Sequence, residues 1–62
     1  MWTSVYMTQN IDNARSMRIK IETQAIPVKL HRISGADGSG EDCYELLVPS
    51  AELSEALDII ID

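Results

Sequence analysis

The residues of this sequence that could do chemistry sit mostly in one stretch, SGADGSGEDCYE, residues 34–45. It holds three glycines, four acidic side chains and the chain's single cysteine. A phosphate cradle needs glycines that turn backbone N–H groups toward the anion, then a helix N-terminus. Here the glycines lead into CYELLV, which reads as a strand, no lysine follows, and Asp37, Glu41 and Asp42 would repel phosphate. A calcium loop needs alternating Asp/Asn ligands, a glycine at its sixth position and flanking helices, and the spacing DGSGED supplies none of these. The stretch reads as a long hairpin loop in which Gly35, Gly38 and Gly40 permit left-handed turns, kept solvated by its acids.

Cys43 and His31 form the other candidate. A thiol beside an imidazole can become a thiolate nucleophile, with Glu45 orienting the ring. Whether His31 faces Cys43 or Glu45 depends on a strand register that spacing does not fix. No residues for an oxyanion hole are evident, so plain surface side chains are the better reading, with no catalytic residue. Cys43 has no second cysteine or metal-spaced histidine near it, so neither a disulfide, a metal site nor a cofactor is expected.

The elements that position these residues follow from hydropathy. TSVYMT (3–8) alternates as a strand. Asn10 is a helix N-cap with Asp12 in the first turn, and Ile11, Ala14, Met17, Ile21 and Ala25 form one apolar face. Arg18 and Glu22 can pair along the rim, and Ile19 falls off the stripe, so exposure is predicted for it. Pro27 stops the helix. VKLHRI (28–33) is a second strand and CYELLV (43–48) a third, ended by Pro49. Ser50 is expected to cap a last helix with the stripe Leu53, Ala56, Leu57 and Ile60.

The order β-α-β-β-α over residues 1–62 makes a single α+β domain. The second and third strands should form an antiparallel hairpin, and the first and second should run parallel, joined by a right-handed crossover. YELLV is the most apolar strand, as a central position requires. The expected fold is a three-stranded mixed sheet, third strand central, with two helices on one face: a ferredoxin-like arrangement truncated by its fourth strand.

At 62 residues and 45% hydrophobic content, such a chain buries only about 60% of its unfolded surface. Its formal charge is −5, which weighs against nucleic acid and anionic membrane as partners. Residues 1–32 carry all five bases against Asp12 and Glu22, whereas residues 33–62 carry eight acids and no base. Mutual neutralisation of the halves within the fold is the preferred reading over steering of a charged partner. Neither a leader nor a membrane-spanning run is seen, and one unpaired cysteine suits a reducing compartment, so a cytoplasmic location is expected.

If both helices cover the Val28/Leu46 face, alternation leaves Trp2, Tyr6, His31, Ile33, Cys43 and Leu47 on the other, with Val5 and Met7 toward the helices. A contiguous patch of that kind marks an interaction surface. The rival assignment folds Trp2 and Tyr6 over the rim to complete a small core. The first strand, uncharged and at an edge, can accept another strand from a protein partner or a second copy in a homodimer.

VYMTQNIDNA, IETQAIPVKL and YELLVPSAELSEALDII together resemble a small bacterial domain family of unknown function described as prokaryotic signal-transducing proteins. The resemblance implies an α+β fold of the ferredoxin-like or nitrogen-regulator-like kind and carries no catalytic motif. By it, a small-molecule-sensing signal-transduction domain is the alternative to a non-enzymatic regulatory or interaction domain. Similar chains often have glycine where this one has Ala25. A positive φ there would cost Ala25 on the order of 1 kcal/mol; otherwise the helix runs on toward Pro27.

Overall fold

The computed structural model describes residues 1–33 and 42–61. Its elements are β1 (Trp2–Thr8), α1 (Ile11–Glu22), β2 (Lys29–Ile33), β3 (Cys43–Pro49), a 3₁₀ turn (Ser50–Glu52) and α2 (Leu53–Ile61). The strand order is β1-β3-β2, with β3 antiparallel to both neighbours. β1 and β2 therefore run parallel on either side of β3 without sharing a ladder. This is the expected split α+β arrangement, the ferredoxin-like order without its fourth strand, but the sheet is wholly antiparallel and not mixed as expected, because the parallel pair β1 and β2 is separated by β3. The glycine-rich stretch, apart from Asp42, lies outside the described residues.

Helix α1 starts as its sequence dictates. The Asn10 Oδ1 accepts from the backbone N–H of Asp12 at 2.8 Å and of Asn13 at 3.2 Å, satisfying two donors with no carbonyl of their own in the first turn. Thr8 Oγ1 in turn accepts from the Asn10 N–H at 3.1 Å, so the end of β1 and the start of α1 are tied. Ala14 and Ile21 are buried, Met17 packs against the core, and Ile19, off the stripe, is 59% exposed.

The helix ends at Glu22, short of the expected Ala25. The N–H groups of Gln24 and Ala25 turn back to the carbonyls of Ile21 and Glu22 at 3.0 and 2.9 Å, and Ala25 takes φ 63°. That left-handed residue reverses the chain, exposes Ala25 and drives Ile26 into the core at 2% exposure. The last place in the apolar stripe thus belongs to Ile26. The turn costs on the order of 1 kcal/mol in Cβ crowding, and burying an isoleucine contributes roughly 1.5–3 kcal/mol.

The core lies between the helices and one sheet face. Ile21, Ile26, Leu46, Val48 and Ala56 form its buried centre, with Val5, Tyr6, Met17, Val28, Leu30, Ile59 and Ile60 packed against it. Leu46 and Val48, on the central strand, are fully buried, as the position of YELLV in the middle requires. Ser50 does not cap α2. Its N–H and its hydroxyl both donate to the Met1 carbonyl, at 2.8 and 3.0 Å, tying the chain's start to the turn after β3. Among the described residues no helix is long and apolar enough to cross a membrane.

Candidate functional site

The face of the sheet turned away from the helices is read directly from its two ladders. Trp2 lies opposite Pro49; Ser4, Leu47 and Lys29 form the next row; Met7, Glu45 and His31 the one after; Cys43 and Ile33 close it. Trp2, His31, Ile33, Cys43 and Leu47 all sit where alternation put them. Tyr6 does not.

The reason is a bulge. The β1–β3 register shifts between Ser4 and Tyr6, leaving Val5 as an extra residue. Ser4 faces Leu47, yet Tyr6, only two residues on, faces Leu46 on the other side of the sheet. Val5 and Tyr6 therefore both pack on the core, and Met7 takes the open-face position, 55% exposed. One inserted residue reverses every later side chain of a strand. The pattern of alternation contains no sign of it; the one available signal is that a chain this small needs both Val5 and Tyr6 in its core.

The hairpin register decides between the two alternatives for His31. It faces Glu45, with Nδ1 at 3.7 Å from Oε1. The residue opposite Cys43 is Ile33. His31 and Cys43 are diagonal neighbours, at about 7–8 Å for such positions, so the thiol–imidazole pair required of a nucleophile is not formed. Glu45 is the more covered partner, its side chain 19% exposed against 66% for His31.

Lys29 reaches over the Trp2 ring, with Nζ at 4.3 Å from the ring centroid. The two belong to β2 and β1, so their side chains meet across β3, over the end of the face that carries Leu47 and Pro49. The rim closure considered for Trp2 and Tyr6 is thus divided: Tyr6 completes the core, while Trp2 remains on the open face, 38% exposed.

Charge on this face is balanced by Lys29 and Glu45 in a chain of net −5. Elsewhere Arg18 pairs with Glu22 at 3.6 Å along α1, and Arg32 with Asp42 at 2.9 Å at the mouth of the hairpin. Glu52, Glu55 and Asp58 form no ion pair with a described residue. Neutralisation between the two halves is therefore confined to the β2–β3 hairpin among the described residues. In the same residues no enclosed cavity is present, and no three His, Cys, Asp or Glu side chains converge as a metal site would need.

Comparison of the chain with family models, curated proteins and solved structures finds no match in any of the three.

Proposed function

We propose that this chain is a small non-enzymatic regulatory or protein-interaction domain that presents the open face of its sheet to another protein. The observation that supports this reading most is the composition of that face. Trp2, Met7, Leu47, Ile33 and Cys43 stand together with a balanced Lys29 and Glu45, and no described helix covers them. On a protein of net −5, this is where an apolar protein surface can approach with least desolvated charge. A cytoplasmic setting suits the single thiol on the face. The resemblance to the prokaryotic signal-transducing family belongs to the same proposal, and Ala25 supports it: its φ of 63° is the geometry that glycine, frequent there in similar chains, adopts freely.

The test is site-directed photo-cross-linking in cells. A photo-reactive amino acid in place of Leu47 should give discrete protein adducts, and the same group in place of Ser54, exposed on α2, should not. Replacing Ile33 by Glu should remove the adducts while the far-ultraviolet circular dichroism is unchanged. Equal cross-linking from positions 47 and 54, or none from either, would overturn the assignment.

A further inference from the structure

The bulge in β1 has a second effect, at the edge of the sheet. Along Thr3–Thr8, the side chains of Thr3, Val5, Tyr6 and Thr8 are on the helix side, and those of Ser4 and Met7 on the open side. Read from either end, that sequence of faces is the same: helix, open, helix, helix, open, helix. The strand is symmetric about the Val5–Tyr6 bond. Two antiparallel copies of β1 can therefore lie edge to edge with Val5 opposite Tyr6, Ser4 opposite Met7 and Thr3 opposite Thr8. Every facing pair then shares a side of the sheet, as antiparallel pairing demands. The bulges of the two copies fall opposite one another, so neither strand has a surplus residue.

We infer that β1 is the contact between two copies of this chain, joined about a twofold axis at the Val5–Tyr6 bond into one six-stranded antiparallel sheet. The two sheet edges differ in a way that supports this choice. Trp2–Thr8 contains no charged residue, whereas Arg32 stands on β2 and Pro27 lies just before it; the Lys29 side chain, directed across the sheet to Trp2, adds nothing at the β2 edge. A charged side chain and a proline are devices that keep an edge from pairing. The open edge is β1, and the guarded one is β2. A twofold contact at β1 leaves β2 at both ends, so assembly stops at two.

The second copy fits this edge better than a charged partner strand does. Two chains of net −5 repel, and they meet with least cost along a strand that has no charge to set against its mate. The pairing is independent of the open-face reading and leaves that face free. It also sets Met7 of each copy opposite Ser4 of the other and diagonal to the other's Trp2, along the midline of a face twice as wide. A single ladder buries less than a standard interface, so the dimer belongs to the weak class. Its affinity should rise with ionic strength as repulsion is screened.

The test combines association with register. Sedimentation equilibrium of the chain up to millimolar concentration should show a monomer–dimer equilibrium that tightens with added salt. In a Cys43→Ser background, Ser4→Cys and Met7→Cys chains are mixed and mildly oxidised. The mixed disulfide should exceed either homodimeric disulfide by roughly tenfold, because only positions 4 and 7 face each other within bonding distance. Leu47→Glu should leave the association unchanged. A monomer at every concentration, or statistical disulfide pairing, would overturn the inference and leave the open-face proposal standing. A dimer dissolved by Leu47→Glu would also overturn it, since the copies would then be joined through the open face.

Discussion

Lys29 and Trp2 meet with the ammonium 4.3 Å from the ring centroid, although they lie on the two outer strands with β3 between them. Outer strands of a three-stranded sheet are about 9.6 Å apart, so both side chains must lie flat across the central strand to make this contact. The result is a strap over the Leu47 end of the open face, in which the lysine stem covers apolar surface while its charge rests on the ring's π-cloud.

Lys29→Gln retains most of the stem and removes the charge. It should cost about 0.5–1 kcal/mol, the range for a partly exposed cation–π contact. Urea denaturation measures the loss. Acrylamide quenching of Trp2, the sole tryptophan, should become more efficient in the folded variant. Unchanged quenching would show that the strap does not hold in solution.

The bulge makes Tyr6 and Met7 exchange roles, and their truncations should differ accordingly. Tyr6→Ala removes a ring packed on the core and should cost about 2–4 kcal/mol. Met7→Ala, at a position 55% exposed, should cost about 0.5 kcal/mol or less. The comparison is a pair of denaturation curves; a reversed order would mean that β1 pairs without the bulge.

Ala25 is held at φ 63°, and glycine has no Cβ to crowd there. Ala25→Gly should therefore stabilise the fold by up to about 1 kcal/mol, the relief of strain being partly offset by the greater freedom of glycine in the unfolded chain. Ala25→Val should destabilise it by more than about 1 kcal/mol. Both are read from urea midpoints at unchanged slope, and a valine variant as stable as the parent would contradict the turn geometry.

Asn10→Ala removes the acceptor for two backbone N–H groups and should cost about 1 kcal/mol. Asn10→Asp should restore most of it, because a carboxylate accepts the same bonds and favours the positive end of the helix. Loss of stability in both variants would assign Asn10 some role other than capping.

Legibility in the sequence followed the range of the forces involved. The Asn10 cap and the exposure of Ile19 rest on neighbours within one or two helical turns, and both are as spacing predicts. The central place of β3 was legible because only a strand buried between two others benefits from consecutive apolar residues such as Leu46, Leu47 and Val48. The hairpin register was not: His31 opposite Cys43 and His31 opposite Glu45 put the same side chains on the same face. Tyr6 was misplaced for a related reason, since alternation assumes equal residue counts on paired strands and β1 has one extra. Ser50 looked like a cap because its type and position fit one; a carbonyl at the far end of the chain claims its hydroxyl instead.

That tie between Met1 and Ser50 closes a ladder in which Trp2 lies opposite Pro49, so of the three described strands the earliest in sequence pairs with the latest. Until β3 has left the exit tunnel, Trp2, Val5 and Tyr6 have no sheet to join. Folding in step with synthesis is closed to this chain: α1 and the β2–β3 hairpin can form locally, but β1 must wait and then add by a long loop closure. Its rate-limiting step should accordingly be the arrival of β1, and substitutions at Tyr6 should slow refolding less than those at Leu46, which the hairpin already needs.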